Sequence, residues 1–297
     1  MTPAEALYQR LRAAAPWGPA DERGTVNHVT PERVARAAAL VRTGRVVSAA
    51  HDLDTRQSAK NYRPVVHRML FKRFAGGVTV TDELTVAPHS FTVTHLDAVA
   101  HSNFAGTVYN GRSADAVTTE RGLTFGSVHV LRDGIVTRGV LLDVAAATGR
   151  PWLSPTDTVG VAELERAERH AGVRVRPGDA LLVRVGLAAR ERAEGPEDVT
   201  VRAGLDLDAV EWLFTRGVAV YGGDCFDQLP TPPEVGCPWP LHQVGQAGGG
   251  LVLLDNVDVE PLAVAVREEG RAEFLLVLAP LRLPGGTGSP VNPLCVF

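Results

Sequence analysis

The stretch Thr94-His95-Leu96-Asp97-Ala98-Val99-Ala100-His101 concentrates the chemistry of this chain. On an extended strand, residues two apart share a face, so His95 and Asp97 point the same way. An imidazole nitrogen beside a carboxylate oxygen suits zinc or a similar divalent ion. His101 follows Asp97 by four residues, one turn on if a helix begins there, and in that position it serves as a proton carrier to the same pocket. Five of the nine histidines, His28, His51, His67, His129 and His170, stand alone in the sequence and read as surface or satisfied core groups.

Further along, a second cluster points to the same place. Gly222-Gly223-Asp224-Cys225 follows a strand-like run, Pro238-Trp239-Pro240-Leu241 leads into His242, and Asp255-Asn256 closes an apolar strand. His242 before a short helix and Asp255 at a strand end both reach one cleft. Around these motifs, strands are expected at Val46–Ala50, Val78–Val86, Arg138–Ala145, Ala180–Val185, Val218–Tyr221, Leu251–Leu254 and Glu273–Leu278. Helices are expected at Thr2–Ala15, with Thr2 and Glu5 as a capping box, and from Thr30-Pro31 to about Arg42. Further helices are read at Val161–Ala171, ended by Gly172, at Asp206–Arg216 and at Leu241–Ala247. Strands interleaved with helices indicate an α/β class. The charged stretch Glu191–Arg202 reads as a surface loop. The whole chain, 1–297, reads as one domain with an N-terminal helical extension over about 1–44.

Composition excludes several functions. The 297 residues are 45% hydrophobic and 22% charged, with a net charge of −4. A nucleic-acid binder is usually basic, so that class is set aside. No apolar run approaches the roughly 20 residues of a membrane span, and no secretory signal pattern opens the chain. The three cysteines, Cys225, Cys237 and Cys295, form no CxxC pair and no even disulfide set. A cytoplasmic location is the expectation.

Several separated stretches together resemble the metal-dependent cyclase superfamily that includes kynurenine formamidase and isatin hydrolase, in its longer branch. They are Trp17–Asn27, Thr94–His101, Tyr109-Asn110-Gly111, Pro240-Leu241-His242 and Gly285–Pro290. The resemblance implies a compact α/β fold around a central barrel-like mixed sheet. It also implies homodimers or homotetramers, and hydrolysis of a small cyclic or N-acyl amide or lactone at a bound divalent ion, zinc or manganese. His95 and Asp97 match metal ligands, His101 the catalytic histidine and His242 a later ligand. Asp255 stands where the family commonly has a Glu ligand. The chain departs from the pattern at Phe91, where a further ligand histidine is usual. His89 substitutes only if the chain bends sharply, because six extended residues span about 20 Å. One bound ion is therefore the expectation. Phe91, Phe104 and Trp239 are candidates to line a pocket for a flat small-molecule substrate. Two other functions compete with hydrolysis: a cyclase or dehydratase of natural-product assembly, and a non-catalytic small-molecule binder.

Overall fold

The apolar runs at the centre of the chain become strands buried on both faces, as runs without polar alternation must be. The computed structural model describes all residues, 1–297. Eleven strands matter to the argument: β1 Val46–Ser48, β2 Val66–Phe74, β3 Gly77–Thr85, β4 His95–Asp97, β5 Ile135–Asp143, β6 Ala180–Arg184, β7 Val220–Gly223, β8 Val252–Asp255, β9 Glu273–Leu278, β10 Gly288–Pro290 and β11 Leu294–Val296. Nine of them form one curled half-barrel sheet in the order β1-β11-β9-β5-β6-β7-β8-β4-β10. β5, β6, β7 and β8 run parallel. The strands flanking this parallel core are antiparallel to their neighbours. The sheet is thus mixed, and the class is α/β.

Successive residues of the parallel strands feed opposite cores. Leu181 and Val183 join one apolar cluster with Leu7, Leu164 and Leu213; Ala180 and Leu182 join the other with Leu262, Phe274 and Phe297. Helix α1 (Pro3–Ala14) therefore packs into the first core through Ala4, Leu7, Tyr8 and Leu11. Its capping box forms as expected, with Thr2 Oγ1 accepting from the Glu5 amide and Glu5 accepting from the Thr2 amide. Helices α3 (Val161–Ala171) and α5 (Leu207–Thr215) cover that face too, while α6 (Val259–Glu269) covers the other. No helix is long and apolar enough to cross a membrane.

Some boundaries differ from the sequence reading, for local reasons. Helix α2 (Pro31–Ala38) stops four residues short of Arg42, because the amides of Thr43 and Gly44 take the carbonyl of the C-terminal Phe297. Strand β5 starts at Ile135 and ends at Asp143, whose carboxylate caps the next turn at the Ala146 amide. The stretch Glu191–Arg202 is not a simple surface loop. Helix α4 (Leu187–Glu194) takes its first part, and the Glu197 side chain, 1% exposed, turns inward between Arg202 at 2.7 Å, Lys60 at 3.4 Å and Arg190 at 3.6 Å. Strand β3 forms one residue earlier than the Val78–Val86 expected, and its partner β2 has no counterpart among the expected strands. Together they form a ribbon whose residues are all exposed.

Candidate metal centre

Strand β4 lies between β8 and β10, and this register builds the site. His95 pairs with Asp255 of β8, and Asp97 pairs with Gly288 of β10. All three residues of β4 are buried. The chain bends repeatedly over Pro88–Val93, which corrects the extended distance expected for His89: its Nδ1 lies 3.0 Å from Asp97 Oδ1. Gly288 makes room for that ring, since a Cβ there would sit 2.6 Å from His89 Cε1.

Each imidazole is aimed from behind. His95 Nδ1 donates to the Val93 carbonyl at 2.8 Å, which aims Nε2 at Asp97 Oδ1, 3.4 Å away. His242 Nδ1 donates to Asp227 Oδ2 at 2.6 Å, so its Nε2 faces Asp255 Oδ2 at 3.0 Å. His89 Nε2 is held by the Thr287 hydroxyl at 2.8 Å. Partners of this kind fix the tautomer and raise the basicity of a ligating imidazole. His242 rides on a widened π-turn, Leu241–Gln246, in place of the plain helix expected there; such turns concentrate at functional sites. Asp227 also accepts from the Leu241 amide at 2.6 Å and so anchors the turn's start. Four residues after His242, Gln246 Nε2 donates to Asp97 Oδ2 at 3.3 Å.

Two triads result, His89-His95-Asp97 and Asp97-His242-Asp255, each with ligand atoms within 4.8 Å of one another. They share Asp97. His101 belongs to neither: its Nε2 is 3.9 Å from Asp97 Oδ2, and its ring stacks on His89 at 3.7 Å and 3°. His89 Nδ1 and Asp97 Oδ1 lie 3.0 Å apart but are not aligned for a hydrogen bond, and buried Asp255 Oδ1 has no partner, although buried polar atoms are nearly always paired. Electrostatics agree. Burial depresses the His95 imidazole, but Asp97, Asp255 and the Val93 carbonyl outweigh it and hold it up at about 9. Burial opposes charge on His242 as well, yet Asp255 and Asp227 hold that ring well above the ordinary value. A largely buried cluster with this field and these N and O donor atoms fits a divalent cation. Burial lowers His101 to about 4, against the pull of Asp97, so this ring is neutral at pH 7.

The remaining residues named from sequence fall elsewhere. Phe104 is 7% exposed and packs on Tyr8 in the core, ring centroids 5.0 Å apart, so it is core rather than open pocket wall. Phe91 is half-buried, edge-on to Tyr62 and under the Arg202 guanidinium. Trp239 is exposed. Asp224 does not join the cleft; its carboxylate accepts from the amides of Val185, Gly186 and Leu187 at the start of α4. Asp227, Gln246 and Thr287 escaped the sequence reading. The only signal for Asp227 was a second acid, three residues after Asp224.

The chain has counterparts among known proteins. A solved structure of a novel cyclase is 27% identical, covers 97% of this chain and 100% of its own, and superposes with a TM-score of 0.85. Isatin hydrolase A from Ralstonia solanacearum is 20% identical over 85% of this chain and 92% of its own, with a TM-score of 0.59. A structure described as a "predicted metal-dependent hydrolase" from Bacillus stearothermophilus is 16% identical over 86% and 98%, with a TM-score of 0.55; at these identities the last two show a shared fold. No curated protein matches the chain in sequence. The model of the Cyclase family, described as "Putative cyclase", matches residues 46–228, which hold the bend, β4, His101 and Asp227. The chain belongs to the cyclase family.

Proposed function

We propose that this protein is a metal-dependent hydrolase that opens or cleaves a small cyclic or N-acyl amide or a lactone. The observation that carries the reading is the pair of triads meeting at Asp97, with three buried donor atoms that no well-aligned hydrogen bond satisfies. His89, His95, Asp97, His242 and Asp255 would hold the ion. A divalent ion bound there supplies a nucleophilic water at neutral pH and polarises the substrate carbonyl.

The chain's own groups do the rest. Asp97 and His95 side chains are 1% and 4% exposed, whereas those of His101, His89 and His242 are 26%, 25% and 20% exposed. Substrate therefore approaches from the side of these three rings. Neutral His101 accepts a proton at Nε2 and returns it to the leaving nitrogen or oxygen. The stack on His89 holds the His101 ring in place while it does so. Asp227 accepts from His242 Nδ1, so Nε2 is the nitrogen that would ligate an ion.

The test is metal analysis of protein purified without chelator, then a screen of amides, lactones and cyclic imides. At least one zinc or manganese per chain and release of a carboxylate are expected. Protein without metal, or metal-loaded protein that leaves every carbonyl substrate intact, overturns the reading.

A further inference from the structure

Gln246 ends the π-turn that begins at Leu241, four residues past His242. It is wholly buried, 0% exposed, and burying an amide is costly unless both of its ends find partners. Both do. Nε2 donates to Asp97 Oδ2 at 3.3 Å, and Oε1 accepts from the Ser102 amide at 3.1 Å. This orientation is forced, because the Ser102 N–H can only donate and an ionised carboxylate can only accept. One side chain therefore ties the carboxylate shared by both triads to the backbone immediately after His101. The His101 ring itself stops short of that carboxylate: its Nε2 is 3.9 Å from Asp97 Oδ2, outside hydrogen-bond reach.

We propose that Gln246 is a positioning residue that holds His101 and Asp97 apart; the proposal rests on the hydrolase reading, in which His101 carries the proton. Asp97 Oδ1 faces His89 Nδ1 at 3.0 Å and His95 Nε2 at 3.4 Å. Oδ2 is the oxygen turned toward His101. A buried carboxylate oxygen attracts any N–H within reach, and such a charge-assisted bond draws in to about 2.7–2.9 Å. Gln246 supplies an N–H from a fixed turn, so Oδ2 is satisfied without the imidazole. Its Oε1 meanwhile pins the Ser102 amide, and with it the backbone that carries the ring. His101 Nε2 stays uncommitted, and the side chain keeps the 26% exposure through which it meets substrate. The stack on His89 sets the plane of the ring; Gln246 sets its distance from the carboxylate. The turn is itself braced. The Gly250 amide donates to the Gln246 carbonyl at 2.8 Å, and Tyr8 and Leu11 of α1 lie so close that a Cβ on Gly248 would come within 3.4 Å of both.

Gln246→Met keeps the length of the side chain and removes both bonds. In the metal-free variant, a crystal structure is expected to show His101 Nε2 drawn in to about 3 Å from Asp97 Oδ2. The Ser102 amide is expected to exchange with solvent at least about tenfold faster than in metal-free wild type. In metal-loaded enzyme, kcat is expected to fall about tenfold to hundredfold with KM nearly unchanged. A purely structural role would not give the next result: once His101 is alanine, Gln246→Met should cost less than about twofold, because residues that act through one another are not additive. An unmoved His101 ring overturns the proposal, as does an undiminished kcat or a loss that multiplies in full with that of His101→Ala. Should Gln246→Met not fold, the wild type decides: a Ser102 amide that exchanges as fast as that of its exposed neighbour Asn103 overturns the proposal, and a strongly protected one supports it. Absence of any turnover in metal-loaded wild type overturns the hydrolase reading instead, while the ring position and the Ser102 exchange still decide whether Gln246 sets the spacing.

Discussion

Asp227 Oδ2 lies 2.6 Å from His242 Nδ1, while Asp255 Oδ2 lies 3.0 Å from Nε2 of the same ring, so one imidazole is gripped between two carboxylates. The two acids have different duties. Asp255 belongs to the triad with Asp97 and His242, and Asp227, holding Nδ1, leaves Nε2 as the nitrogen of His242 that faces this triad.

Loss of a carboxylate behind a ligating histidine typically costs about 10–100-fold in metal affinity or activity. Asp227→Ala is expected to fall in that range, with a further loss of stability because the Leu241 amide loses its acceptor. Competition with a chromophoric chelator measures the affinity. An Asp227→Ala protein that holds metal as tightly as wild type refutes the orienting role.

His101 and the ligand histidines should separate cleanly. His101→Ala is expected to cut turnover by about a hundredfold to ten-thousandfold with metal content nearly unchanged. His95→Ala and His89→Ala should lower metal content first, because each removes a nitrogen from the triad around Asp97. Metal content, melting temperature and turnover measured together distinguish the roles. A folded His101→Ala protein at full activity shows that the proton moves by another route.

Burial pushes the Asp224 carboxyl up to about 6, although the Val185 and Leu187 amides and Arg184 pull it down. An acid whose folded pKa exceeds its unfolded value near 4 keeps a proton that the unfolded chain has lost. Stability therefore falls as pH rises from about 4 to about 6, by about 3 kcal/mol at most. Urea unfolding of chelated wild type and of Asp224→Asn, compared across that window, isolates the effect. Parallel curves for the two proteins contradict it.

Glu197 is enclosed by Arg202, Arg190 and Lys60. Removing one partner of a buried ionic cluster costs about 3–5 kcal/mol, which for a chain of this size lowers the melting temperature by about 10 °C. Glu197→Gln is expected to show that drop. A shift within a degree or two would mean the cluster is solvated in solution.

The parts of the fold legible in the sequence were those with local causes. Thr2 and Glu5 announce a helix start, Gly172 announces a helix end, and the runs at Ala180–Arg184 and Glu273–Leu278 read as strands, the first buried throughout and the second at alternate residues. The site was legible where spacing acts within one strand, as for His95 and Asp97. It was illegible where a bend or a distant register acts. The spacing from His89 to His95 looks prohibitive until the chain folds back over Pro88–Val93. Asp227 meets His242 through a pairing that no local pattern displays. Glu197 sits in a charged run that looks like a solvated surface, and only its three surrounding cations make it an inside residue.

The register of β4 against β8 has a consequence for the order of assembly. The Thr94 hydroxyl bonds the Asn256 carbonyl across 162 residues of chain, beside the pairing of His95 with Asp255, and β10 closes β4's other edge from near the C-terminus. Contacts of such sequence separation form late, because loop-closure entropy must be met before they contribute. During synthesis, residues 89–97 emerge as an open, local group of two imidazoles and one carboxylate. The second triad, Asp97-His242-Asp255, closes only when β8 has joined β4, so the two halves of the centre assemble at different stages of folding.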